Sequence, residues 1–369
     1  FMFLFKFKSK RIGIYTSILM CQVFCSCNLS TKYYNPDEVL YSGGKGNGEI
    51  VELKDYHAME TGIRNINCID EYLIITQEDK DSIFLIIDSR NDSILTQFGS
   101  VGHARNEFES IPWSIYCIRD KMGNPLLCIG ETACTKIVNL KKSVSQKKCV
   151  VDNVIKDGKD GFFYKTYHLN KTSRFIHKEI SYIDPRDGVF IKPEFFMEGQ
   201  NTYTWEIFPE IIKSSMPNIV DCAYASLMFI SPDASKAICM HNYIDVVTIF
   251  DFEKNRSTGI VNPHSYTFED AGTKLNEDNI KDSLRWYNTS ACVTNNRFLV
   301  LKDGSLYKDV AHKTSPEGVT VINSYSWDVD LQNSYCLNRD IFDIAYCEQS
   351  QKLYAIYLGN KMYHIRLHL

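Results

Sequence analysis

Few residue combinations in this 369-residue chain are spaced to do chemistry. His241, Asn242, Tyr243 and Asp245 follow directly on an apolar run, and Arg285 and Trp286 precede another. An imidazole, a carboxylate and a guanidinium at such turns suit the binding of a polar ligand, and Trp113, Trp205 and Trp286 are of the type that stacks on sugar rings. Side chains of the same kinds also cap and pack turns, so these six residues are binding candidates and no residue is assigned as catalytic. No Gly-x-Ser-x-Gly elbow and no His-Glu-x-x-His occurs. Gly99 and Gly102 with Glu107 make no dinucleotide fingerprint, because no helix pattern follows them. The glycine-rich stretch 42–48 lacks the spacing of a phosphate-binding loop and reads as a flexible link. Cys/His spacings of the zinc type are missing as well. No cofactor and no metal is therefore expected, apart from room for an ion in a central channel of the fold derived below.

Cys27 is the one nucleophile whose surroundings define a reaction. Lys6, Lys8, Lys10 and Arg11 precede an apolar run from Ile12 to Phe24, which ends in Cys25-Ser26-Cys27. That run is roughly 13 residues, short of the ~20 needed for a membrane-spanning helix. A basic segment, a short apolar segment and a small residue before cysteine resemble a bacterial lipobox. The expected outcome is cleavage before Cys27 and a lipid on its thiol. Residues 1–26 are then a signal peptide, 27–47 a flexible tether and 48–369 the folded domain. Asn28 is not an aspartate, and residues 29–32 carry no acidic cluster. An exported, outer-membrane lipoprotein facing the periplasm is expected in preference to one on the cell surface.

Composition narrows the partners. The net charge of −4 gives no footprint for nucleic acid, and the lysines from 141 to 148 read as a solvated hairpin. A hydrophobic fraction of 44% is enough for a real core, and an aromatic fraction of 13% suits half-buried strands. Most of the 13 cysteines sit singly inside apolar runs, as small buried hydrophobes do, so most are expected to be free thiols.

Short runs of β-formers recur between Asp, Asn, Gly and Lys turns. Strands are expected over 71–76, 82–88 and 94–98, then as pairs 125–129 with 135–140, 174–177 with 179–183, 236–240 with 246–250, 297–302 with 319–323, and 352–358 with 362–367. Six such units predict an all-β, six-bladed β-propeller. An N-terminal strand within 48–56 is expected to pair with the last blade and close the ring.

Three blocks extend this reading. The segment from Phe98 to Phe108, the Ser231-Pro232-Asp233 block with Ile249-Phe250-Asp251, and Tyr354 to Lys361 resemble signatures of exported, TolB-like six-bladed propeller lipoproteins of Bacteroidetes. Ala104-Arg105 stands where that family usually carries Gly-Pro, which bears on a tight turn there. The resemblance implies the propeller fold and the cell envelope but assigns no chemistry. The function expected is non-enzymatic binding or scaffolding of a peptide, glycan or envelope protein, with membrane contact through the lipid alone. The alternative is a lactonase, lyase or glycan-active enzyme working in the channel.

Asp92-Ser93-Ile94 and Asp282-Ser283-Leu284 match a short O-glycosylation pattern, which makes Ser93 and Ser283 modification candidates. Intact-mass measurement on protein from the native host tests both expectations. A Cys27→Ser variant should lose the lipid mass and leave the membrane fraction, and a mass without sugar excludes the two serines.

Overall fold

The computed structural model describes residues 33–41, 49–51, 54–56, 62–112, 114–156, 164–170, 172–179, 181–184, 189–199, 202–212, 217–262, 264–274, 285–306, 320–337, 341–357 and 361–366. Cys27, Trp113 and Ser283 lie outside them. Three short strands come first: β1 (Glu38–Tyr41), β2 (Glu49–Val51) and β3 (Lys54–Tyr56). Six antiparallel sheets follow in chain order. The first blade is β4 (Ile63–Ile69), β5 (Tyr72–Gln77), β6 (Phe84–Asp88) and β7 (Ser93–Phe98). The second is β8 (Ser114–Arg119), β9 (Pro125–Gly130), β10 (Cys134–Asn139) and, after helix α1 (Leu140–Gln146), β11 (Val151–Lys156). In the third, β12 (Tyr164–His168) and β13 (Arg174–Lys178) are followed by a separate hairpin, β14 (Ser181–Asp184) with β15 (Val189–Ile191). The sheet then resumes with β16 (Glu194–Glu198) and β17 (Tyr203–Trp205).

Helix α2 (Pro217–Tyr224) leads to the fourth blade, β18 (Ser226–Ile230), β19 (Lys236–His241), β20 (Val246–Asp251) and β21 (Arg256–Val261). After α3 (Phe268–Lys274), the fifth blade is β22 (Arg285–Val293), β23 (Arg297–Leu306), β24 (Thr320–Ser326) and β25 (Leu331–Leu337). The sixth is β26 (Ile341–Cys347), β27 (Lys352–Tyr357) and β28 (Lys361–Arg366). The protein is a six-bladed β-propeller.

The apolar runs follow from this arrangement. Successive side chains of a strand point to opposite faces, and in a propeller each face is covered by a neighbouring blade. In β5, Leu73 and Ile75 pack with Ala345, Tyr354 and Ile356 of the sixth blade. Tyr72 and Ile74 turn the other way, toward Leu127, Ile129 and Val138 of the second. All six residues of β5 are consequently buried, and no polar alternation is visible in it.

The ring closes as expected. β3 joins the outer edge of β28 antiparallel, with Met362 opposite Tyr56. Cys68 of β4 and Cys347 of β26 form a disulfide across the same seam, spanning 279 residues of sequence. The other eight cysteines among the described residues are free. Lys352 adds an ion pair to Asp92 (2.7 Å) between the sixth and first blades.

Four expectations need correction. Residues 33–41, assigned to a loose tether, are docked: β1 pairs in parallel with β21, and Tyr34 is buried. The Tyr34 hydroxyl shares a 2.8 Å hydrogen bond with Thr248, and its ring stacks on Phe268. A Cβ on Gly259 would lie 2.4 Å from that hydroxyl, so a bare backbone is what lets the tyrosine in. The single strand expected within 48–56 is two, since β2 pairs in parallel with β25 of the fifth blade. Of the lysines from 141 to 148, Lys141 and Lys142 belong to a helix that Lys147 ends, because the Asn139 side chain accepts from Lys142 N and so caps α1. β13 pairs with β12 and β16, while 181–184 belongs to the inserted hairpin.

The Phe98–Phe108 block is an inter-blade plug. Gly99 has φ +87°, and a Cβ there would meet the Phe108 ring at 2.9 Å. Phe108 is buried edge-on against Phe84, with the Lys136 ammonium 5.4 Å from its centroid. Ala104 N donates to Glu107 Oε2 (2.9 Å) and Glu107 N to Ala104 O, so the tight turn forms without Gly-Pro.

Replacing Cys68 and Cys347 together by alanine should destabilise the fold by about 4 kcal/mol in urea unfolding. A loss below about 1 kcal/mol would mean that strand pairing alone closes the ring.

Candidate functional site

The six predicted binding residues do come together, at the seam between the fourth and fifth blades. The turn after β19 lies against the start of β22. Asn242 Nδ2 donates to Asn288 O (2.9 Å), Asn288 Nδ2 to His241 O (2.8 Å), and Tyr287 N to Asn242 O (2.8 Å). Trp286 Nε1 donates to Asn288 O, and its ring lies 5.8 Å from that of Tyr243. Asp245 is buried in an ion pair with Lys302 (2.6 Å) and accepts from Asn262 Nδ2 (2.8 Å). Arg285 is exposed at the edge of the cluster. Most of the polar groups here join two blades.

His241 is further from surface chemistry still. It is 1% exposed, edge-on to Phe208 and Phe268. Burial alone pulls its pKa down to about 3, so the ring is neutral at any physiological pH. His177, stacked on Phe195, is held down to about 3, chiefly by burial, with Lys165 and His241 adding to it. Of the aromatics proposed for stacking, Trp205 is buried in the core. Ser93 is exposed, at the first position of β7 just after the turn.

Two constellations had no sequence signal. The first lines the channel. First strands of propeller blades leave one edge unpaired, and Asp343 of β26 covers part of it. Ile66 N of the first blade donates to Asp343 Oδ2 (2.9 Å), while Ser290 Oγ of the fifth and Ile344 N donate to Oδ1 (2.5 and 2.9 Å). One carboxylate thus ties three blades. Burial pushes its pKa up to about 6 against the three hydrogen bonds, which favour the anion. At one end of the channel, where the first strands finish, Arg119 reaches Asp70 of the first blade and Asn295 of the fifth (2.8 Å). Its backbone N donates to Pro232 O of the fourth.

The second is a cleft. β8 and β18 touch directly, whereas β12 packs on β9, so the third blade stands a little outside the ring. Tyr116 latches it, with His168 N donating to the Tyr116 hydroxyl (2.6 Å). Outward of this latch lies a cavity of about 480 Å³ between the second and third blades. Lys156, His168, Asn170, Ser173, Arg174 and Glu198 are among its walls. Arg174 and Glu198 face each other across β13 and β16, with Nε and Nη2 both on Oε2 (2.9 and 2.5 Å). Asn170 Oδ1 accepts from Thr172 N and Ser173 N (both 2.9 Å), which fixes the turn that forms one wall. Among the described residues, those walls hold two cations, Lys156 and Arg174, and one carboxylate, Glu198.

No protein-family model and no curated protein matches the sequence. Solved structures do. A member of the DUF4221 family from Bacteroides vulgatus superposes with a TM-score of 0.52 at 12% identity, over 86% of this chain and 96% of that one. A Bacteroides fragilis protein described as exported gives 0.49 at 10% identity, over 87% of each chain. The first likeness bears on the fold and supports the propeller. Among the described residues, no helix is long and apolar enough to cross a membrane.

The raised pKa of Asp343 has a definite sign. A carboxyl that titrates higher folded than unfolded contributes stability below about pH 4 and loses it as pH rises through 6. Wild type minus Asp343→Asn, measured as unfolding free energy, should therefore fall by about 1–3 kcal/mol between pH 4 and 7.5. A flat difference would show that the carboxyl titrates normally.

Proposed function

We propose that this propeller is an exported, lipid-anchored binding module of the cell envelope, and that it takes its ligand in the cleft between the second and third blades. The cleft itself carries the reading. It is concave, large enough for a few residues or sugar units, and lined by hydrogen-bonding groups already oriented by one another. The Arg174–Glu198 pair and the Asn170 turn are held by the protein before any ligand arrives, which lowers the ordering cost of binding. Cys27 and the basic, apolar segment before it support export and lipid attachment.

The chemistry of the remaining polar groups also favours binding over catalysis. His241 and His177 are neutral, buried and ringed by aromatics, and they meet no solvent. Asp343, a carboxylate on the channel wall, already accepts three hydrogen bonds with its two oxygens, and these hold blades together.

Screening the mature chain on oligosaccharide and peptide arrays tests the reading. Arg174→Ala should weaken the binding found by tenfold or more, since it removes the charged hydrogen-bond donor of the cleft wall. Trp286→Ala, at the fourth and fifth blades, should leave it unchanged. Binding that responds to Trp286 and ignores Arg174 would move the site to the channel mouth.

A further inference from the structure

We propose that the free edge of β11 is the part of this cleft that selects the ligand. It would accept an extended, aliphatic peptide as a parallel fifth strand of the second blade, with a carboxylate at the peptide's carboxy-terminal end set beside Lys156. This rests on the cleft reading and gives it a ligand class.

The chain does the same to itself twice. β1 lies parallel on β21 over residues 258–261, and β2 lies parallel on β25 over residues 335–337. In both cases the added strand covers the last residues of a blade's outermost strand, and β3 covers the edge of β28. Among the described residues, that leaves the outer strands of the first three blades without an added strand. β17 is three residues long, and β7 has α1 packed against it. β11 is six residues without proline, and its side chains alternate between half-buried and exposed. Placed by the register of β1 and β2, a fifth strand would run along residues 153–156. Ile155 and Lys156 of that stretch are walls of the cleft.

The hydrogen-bonding groups of the edge divide at the same point. At its start, Arg105 Nη2 donates to Val151 O and Asp152 O (3.4 and 3.3 Å). Further along, among the described residues, Val154 N donates to the side chain beside it, Asn153 Oδ1 (2.9 Å). A peptide carbonyl can replace that amide oxygen without disturbing any other element. Main-chain hydrogen bonds of this kind supply the affinity in strand addition, and flanking side chains supply the selectivity.

Those side chains describe the occupant. Val154 is 38% exposed and Ile155 half-buried, so the strand meets aliphatic surface. A parallel orientation carries the carboxy-terminal end of the peptide toward Lys156 and into a cleft whose described walls hold one more cation than carboxylates. A terminal carboxylate, or a final acidic residue, neutralises it. The exposed charges of Asp152 and Lys156 meanwhile guard the edge against indiscriminate pairing.

The test uses the full mature chain and a positional-scanning set of fluorescein-labelled hexapeptides, made once with a free carboxylate and once as amides. Anisotropy should show binding of free acids with aliphatic residues at alternate positions, at least tenfold weaker for the amides and for Lys156→Glu. Val154→Pro removes the edge donor and should abolish binding while the circular-dichroism melt stays in place. On wild type, a bound peptide should slow hydrogen exchange along residues 153–156, a readout that does not depend on how the proline variant folds. Absence of binding by every hexapeptide, or binding without protection of those amides, overturns strand addition. Array binding of sugars that needs Arg174 and ignores Val154→Pro would likewise overturn it while leaving the cleft as the binding site.

Discussion

Closing the ring is the constraint on which the rest of this structure depends. A blade standing alone exposes two apolar faces, and each face is covered only if both neighbours are present. The last seam, between the sixth and first blades, joins β26, β27 and β28 to the start of the chain and must be made by contacts far apart in sequence. Four kinds of interaction meet there: the β3–β28 ladder, the Cys68–Cys347 bond, the Lys352–Asp92 ion pair and the Asp343 carboxylate on Ile66 N. Each brings together residues at opposite ends of the sequence, where the loop-closure entropy is largest. Their concentration at one seam follows from the topology.

The other seams are made differently. Between the first and second blades an aromatic plug serves, Phe108 on Phe84, with the Lys136–Glu131 pair (3.0 Å) behind it. Between the fourth and fifth it is the Asn242–Asn288 exchange and the buried Asp245–Lys302 pair. Removing one partner of such a pair leaves a buried charge and costs about 3–5 kcal/mol. Residues that look like a site in the sequence are thus drawn into blade assembly. The cleft proposed for binding lies where blade packing is least regular, beside the third blade.

Much of the fold was legible because propeller strands are buried on both faces and read as unbroken apolar runs. The runs at Leu73–Ile75, Phe84–Ile87 and Leu353–Ile356 lie in strands where the reading placed them. Strands that are half-polar escaped it. Ile63–Ile69 (IRNINCI) is the first strand of its blade, yet Arg64, Asn65 and Asn67 hide its pattern. The stretch 179–183, which overlaps β14, gave a plausible but wrong partner for β13, since the true partner on that side, β16, lies beyond the inserted hairpin. The candidate site was legible only in part. His241 to Asp245 and Arg285 to Trp286 are neighbours in space, but their hydrogen bonds could not be read from residue type. The cleft depends on where the third blade sits, and Asp343 depends on which strand edges face one another. Neither property has a local sequence signature.

The docking of Tyr34 has a mechanical side. Tension applied from the amino-terminal end reaches the Tyr34 socket first, then the Asp37 carboxylate on Ser257, and then β1, which lies lengthwise on β21. Parallel strands drawn along their length yield only when several hydrogen bonds break together. The load is therefore borne in shear by the fourth blade, and β3, further along the chain, is relieved of it.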